Sequence, residues 1–323
     1  MDFLGTILWP IKWVVEAILV AFHWFWTTLG LQPDAGLTWV LSILGLVLVI
    51  RAALIPIFVR QIKSQRRMLE VAPQIKKIQD KYKGKKDQFS REAMSRETME
   101  LYKKTGTNPL SSCLPLLLQM PIFLSLFTVL NNAQQVDANG NHKAGVGLLD
   151  AKLSESFGTS ELFGIAPLHL SISTANGNTA VIIIAVIMIV LMTASQFITQ
   201  LQIMSKNQSA EMKASPMYRQ QRILLYLLPL VFAFSGFTFA IGVMFYWLFS
   251  NFWTMAQQFL VIRNMPTPGS EAALAREARL AKRAQRKGIV EETPEGTLVV
   301  EEPKKPQRQQ PVSKNRAKKQ TKK

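Results

Sequence analysis

Apolar residues gather in long runs separated by charged stretches, and the lengths of those runs predict most of the architecture. Residues 38–59, TWVLSILGLVLVIRAALIPIFV, match the roughly 20 apolar residues that cross a hydrocarbon core about 30 Å thick. Similar runs occupy 109–131 and 179–201. Residues 223–262 carry no charge at all; forty residues are too many for one crossing and predict two, 223–237 and 238–262, folded near Ser235-Gly236-Phe237. Ahead of these lies 1–37, whose apolar part, 3–29, is rich in tryptophan (Trp9, Trp13, Trp24, Trp26) and is interrupted by Lys12 and Glu16 on one helix face. Such a helix either lies at the membrane surface, where tryptophan is favoured, or crosses as an extra span. Its amino end lacks the basic region of a cleaved signal peptide. Gln32 to Gly36 then read as a turn.

The water-facing stretches differ in charge. From Arg60 to Lys104 there are fourteen Lys or Arg against six Asp or Glu. Ile75, Ile78 and Tyr82 recur at helical spacing after Pro73, which suits a first turn. Lys83-Gly84-Lys85-Lys86 breaks the pattern before a second helix through Met94, Met99, Leu101 and Tyr102. Residues 60–108 therefore read as a charged helical hairpin. The connection 132–178 is polar and net acidic, 202–222 is basic, and 263–323 is a basic tail. Within the tail, a Ser270-capped helix is expected to run to Gly288, with a disordered remainder. Basic loops face the cytoplasm by the positive-inside rule, so five spans run with the carboxyl end inside and 132–178 outside.

One charge breaks the apolar pattern. Arg51 lies nine positions before Arg60, about 13 Å inside the membrane at helical rise. Insertion scales put a central Arg at about 2.5–3.5 kcal/mol unfavourable, so something polar must surround it. It serves either as a structural donor to a neighbouring helix or as a charge lining a wet cavity that receives something negative. Pro115 and Pro121, with Gln119 between them, free backbone carbonyls that need helix neighbours or water. Apart from Arg51, the net charge of +17 resides in the loops and tail. A single cysteine, Cys113, excludes an internal disulfide, and His23, His142 and His169 share no ligand spacing. No GxxxxGK, GxSxG or HExxH motif appears, so neither nucleotide-driven nor hydrolytic chemistry is signalled, and no cofactor is expected.

Four stretches together resemble the YidC/Oxa/Alb family of membrane protein insertases: RAALIP (51–56), VAPQIKKIQDKY (71–82), NPLSSCLPLLLQMPIF (108–123) and FYWLFSNFWTMAQQ (245–258). The likeness covers 5 to about 264 and matches the short bacterial form without a large outer domain. It implies an all-α polytopic protein of the bacterial plasma membrane: five helices around a hydrophilic groove, a cytoplasmic helical hairpin and an N-terminal interfacial helix. Arg51, Gln119, Gln196, Tyr246 and Trp247 match groove-lining positions. The position one turn before Arg51, where the family's groove is polar, here holds Val47. The implied activity is binding and chaperone-like rather than enzymatic: hydrophilic segments of nascent membrane proteins enter the groove and their apolar helices pass into lipid. The implied partners are those clients, the Sec translocon, ribosomes held by the basic tail, and membrane lipids. A transporter or channel for an anionic solute, with Arg51 as its binding charge, is the alternative; it would leave the basic hairpin without a role, and no internal repeat supports it.

The charge alternation makes a direct prediction. Single cysteines introduced at 140, 85 and 215 on a Cys113→Ser background are labelled in intact cells by an impermeant thiol reagent only at 140. Labelling at 85 reverses the topology.

Overall fold

The computed structural model describes residues 3–85, 87–107, 114–136, 141–209, 213 and 216–286. Helix α1 spans Phe3–Thr28, and after a short turn α2 runs from Gly36 to Lys81 and packs against it. Two glycines allow close approach at this end of the bundle. A Cβ at Gly45 would lie 2.4 Å from the Phe22 ring, and one at Gly36 would lie 2.5 Å from the Glu161 carbonyl carbon. Small residues let helices meet where lipid itself offers no hydrophobic drive to association. The His23 ring stacks on Trp39 at 4.2 Å, with Nε2 2.9 Å from the Pro33 carbonyl oxygen.

One expectation is corrected in α2. No new helix begins at Pro73; one helix of 46 residues, about 69 Å long, continues beyond the 38–59 run and passes through Pro56 and Pro73. Each proline removes a single rung of the hydrogen-bond ladder, and the rungs on either side persist. The hairpin forms further on. Asp87 caps α3 (Gln88–Thr105) by accepting from the Ser90 amide at 2.8 Å, and Gly106 ends it in the left-handed conformation, φ 61°. Helix α3 folds back on α2, where the Lys81 ammonium and the Tyr82 hydroxyl both donate to Glu97 Oε1.

Helix α4 covers Leu114–Ala133; the expected opening at Asn108-Pro109 and the Cys113 thiol lie outside the described residues. The polar connection that follows has structure of its own, including a departure from the all-α expectation. Asp150 caps α5 (Ala151–Thr159), accepting from the Leu153 amide at 2.8 Å. A small antiparallel ribbon then pairs β1 (Glu161–Leu162) with β2 (Ala166–Pro167), and a 3₁₀ turn covers Ile172–Thr174. Asn178 caps α6 (Thr179–Lys206) through the Ala180 and Val181 amides. Helix α7 covers Pro216–Ser235, residues 236–240 turn, and α8 covers Ile241–Asn264. Ser270 Oγ accepts from the Ala273 amide at the start of α9 (Glu271–Arg286). The tail from 287, including Gly288, lies outside the described residues. The chain divides into two compact units, 1–273 and 274–323.

The core of the first unit is asymmetric. Its contiguous buried residues come from Trp39–Val47 of α2, Leu126–Ala133 of α4, Val181–Met192 of α6 and Ile241–Leu248 of α8, with Val15 and Leu19 of α1. Leu149, Phe157, Leu162, Ala166 and Leu168 of the 134–178 connection complete it. All these helix segments adjoin that connection, so the described core fills one end of the bundle. Trp39 Nε1 donates to Ser156 Oγ at 3.2 Å, and the first α8 amides, Ile241 and Gly242, donate to the Leu170 and Leu168 carbonyls, each at 2.9 Å. Glu16, buried midway along α1, accepts from the Val146 and Gly147 amides at 3.0 and 2.6 Å. These are charge-assisted bonds, and they fasten the connection to α1. Among the described residues three helical segments are long and apolar enough to cross a membrane: 5–28, 36–64 and 179–206.

The α3 cap has a testable pH dependence. The Ser90 backbone amide holds the Asp87 carboxyl below its usual range. Its contribution is therefore complete above the unfolded carboxyl pKa and is lost as pH falls through the lowered folded value. Asp87→Ala speeds amide hydrogen exchange at 88–91 at neutral pH, whereas Asp87→Asn, itself a good cap, largely spares it. Equal protection in all three proteins contradicts this role.

Candidate functional site

Four residues singled out from the sequence converge at the edge of the core. The core segment of α2 ends at Val47, and Arg51 lies one helical turn beyond it. The core segment of α4 begins at Leu126, two turns after Gln119. Gln119 Nε2 donates to the Tyr246 hydroxyl at 2.8 Å, which ties α4 to α8. The Arg51 guanidinium lies within electrostatic reach of that phenol oxygen, so Tyr246, itself buried, faces both residues. Trp247, half-buried, packs edge-on against Phe123 at 5.1 Å and tilted against Phe239 at 5.7 Å.

Arg51 is half-buried, and among the described residues it forms no ion pair. By helix rise it stands about 22 Å from Gly36, deep within the span. Among the described residues the charge is therefore not neutralised by a carboxylate. Val47, at the position that the resemblance expects to be polar, is buried in the core instead.

Gln196 is separate from this group. It lies one turn beyond Met192, the last core residue of α6, and is half-buried without a hydrogen bond to the other four. It shares a helix face with Thr193, whose hydroxyl is buried without a protein partner. Two contributors were missed in the sequence. Phe123 sits between Tyr246 and Trp247, at 6.4 Å from the former. Asn251, also buried, donates from Nδ2 to the Met192 carbonyl oxygen at 3.3 Å and locks α8 to α6. An amide side chain within a long uncharged helix was the available signal, because such groups bond across helices in lipid.

A helical bundle with three segments long and apolar enough to cross a membrane, and an arginine within one of them, defines a polytopic membrane protein. The chain belongs to the 60Kd inner membrane protein family, whose model matches residues 30–268. A Tropheryma whipplei protein named Membrane protein insertase YidC is 44% identical over 325 aligned positions, covering 98% of this chain and 97% of its own. Proteins of the same name from Streptomyces avermitilis and Mycobacterium tuberculosis are 44% and 32% identical, covering 84% and 80% of this chain and 61% and 72% of their own. The chain is thus a bacterial membrane protein of a family whose named members here are insertases rather than enzymes.

The Gln119–Tyr246 bond has a measurable consequence. Tyr246→Phe leaves the Gln119 amide without this acceptor and costs about 1 kcal/mol. Gln119→Leu combined with Tyr246→Phe recovers most of that loss, because neither partner is then left unsatisfied. Thermal unfolding of the purified protein in detergent measures both; a double variant whose losses simply add contradicts the pairing.

Proposed function

We propose that this protein inserts nascent membrane proteins, receiving their hydrophilic segments in a groove that begins where the packed core ends. The observation that carries the reading is the one-sided core, with Arg51, Gln119 and Tyr246 at its edge. In this reading α4, α7 and α8 cross the bilayer along with α2 and α6, which makes five spans. Helix α1 lies along the outer face, in keeping with the attachment of its midpoint, Glu16, to the connection after α4. The packed end faces out, and the groove opens to the cytoplasm and to lipid.

The chemistry follows from dielectric and charge. A polar segment entering the groove exchanges water for fixed polar groups, which lowers the cost of its passage. A carboxylate about 4 Å from Arg51 gains roughly 4 kcal/mol at an effective dielectric of 20, against about 1 in water. Gln119 and Tyr246 offer hydrogen bonds at the same depth, and Trp247 and Gln196 extend the lining on α8 and α6. The client's apolar helix then partitions into lipid at roughly 25 cal/mol per Å² of buried apolar surface, which draws the segment onward. Nothing in this sequence of events requires a nucleotide, a cofactor or a covalent bond. The basic hairpin of α2 and α3 would meet clients and the Sec translocon, and the basic tail would hold ribosomes. The relatives' names favour insertion over transport of an anionic solute.

The Arg51 side chain tests the reading. Arg51→Lys retains much of the activity, because a point charge suffices for attraction. Arg51→Ala accumulates normally yet fails with clients whose translocated tails are acidic, and spares clients whose tail carboxylates are replaced by amides. Arg51→Glu is worse than Ala for acidic tails. Insertion of the paired clients, with protein level measured for each variant, decides. Equal defects for both clients, or activity that follows abundance alone, would return Arg51 to a structural role.

A further inference from the structure

The β1–β2 ribbon turns through Phe163 and Gly164 at φ 55° and 70°, and the Ile165 amide donates to the Leu162 carbonyl at 3.2 Å. A β-turn with positive φ at both central positions favours Asn-Gly, and a bulky aromatic at the first of them is strained. The same chain has a second pair of consecutive positive-φ residues, Asn176 and Gly177 at 47° and 86°, and there it uses the favoured residues. Phe163 is therefore a departure in need of a reason. Packing within the protein does not supply one: Phe163 is 75% exposed, Ile165 beside it is 55% exposed, and no ring of the described residues stacks on Phe163.

The position of the ribbon identifies what covers the ring. Asn178, the cap of α6, donates from Nδ2 to the Ile165 carbonyl oxygen at 3.2 Å. Gly36, the first residue of α2, packs against the Glu161–Leu162 backbone, and Ala35 bridges to Glu161. The turn thus lies level with the first residues of two helices that are each long and apolar enough to span a membrane. Just beyond those first residues, Leu37 of α2 and Ile182 and Ile183 of α6 are exposed. We infer that Phe163 and Ile165 insert into the adjoining lipid leaflet, with the phenyl ring at the boundary of headgroups and acyl chains. Phenylalanine side chains of surface-bound segments bury their apolar area at that boundary, and burial of the ring offsets the strain of the turn. The inserted tip pins to the bilayer the connection whose Phe157, Leu162, Ala166 and Leu168 close one end of the bundle. This inference rests on α6 spanning the membrane and is independent of the insertase reading.

The test uses full-length protein in lipid nanodiscs, spin-labelled at Ile165→Cys on a Cys113→Ser background with Phe163 retained. Collision with oxygen is compared with collision with a water-soluble nickel chelate. Labels at Ile183→Cys and Glu155→Cys calibrate the lipid-facing and water-facing extremes. The expected result is a 165 label several-fold more protected from the chelate than 155 and close to 183. Phe163→Asn, which suits the turn, should leave the fold intact and return the 165 label to the chelate. A 165 label as accessible as 155, or one still protected in Phe163→Asn, overturns the proposal. Protection that appears only after purified translocon is added assigns the tip to a protein partner and overturns it equally.

Discussion

A guanidinium held within an apolar span constrains everything around it. Central burial of an arginine costs about 2.5–3.5 kcal/mol on insertion scales, so the helices beside Arg51 cannot close over it with apolar side chains. The Tyr246 phenol, which accepts a 2.8 Å hydrogen bond from Gln119, lies within electrostatic reach of it. The core accordingly stops at Val47, one turn short of the charge. Packing has to come from the other end of the helices.

That other end is built with backbone contacts of kinds that lipid-exposed helices seldom make. Gly36 and Gly45 allow main chain and ring to approach where any side chain would collide. The connection after α4 sends Phe157 and Leu168 into the core, accepts the first α8 amides, and supplies the amides that hold Glu16. A segment of this kind fixes helix ends rather than merely linking them.

Much of this was legible in the sequence, and the gaps have physical causes. Hydropathy located the apolar runs because a span needs only length and apolarity, and the uncharged 223–262 run had to fold once. The break appears at 236–240. Arg51 stood out as a charge within an apolar run, whereas Gln119 and Tyr246 were marked by the family resemblance; Gln196, marked in the same way, did not join them. The uninterrupted α2 was not legible, because Pro73 read as the first turn of a new helix on local grounds alone. Neither were α5 and the ribbon, whose short elements show too few residues for any period to emerge. The caps Asp150 and Asn178 were the signal, and each required knowing that a helix followed. The bonding of Glu16 to loop amides was out of reach, since it joins residues 130 apart.

The central claim is that hydrophilic client segments lie against Gln119, Tyr246 and Trp247 while their apolar helices move into lipid. Photo-crosslinking residues placed one at a time at 119, 196 and 247, in cells synthesising a stalled membrane-protein client, test it most directly. The account predicts adducts from 119 and 247 to the client's polar segment, weaker ones from 196, and none to that segment from lipid-facing 183. Adducts to the polar segment from 183 as strong as those from 119, or none from 119 and 247, would contradict it.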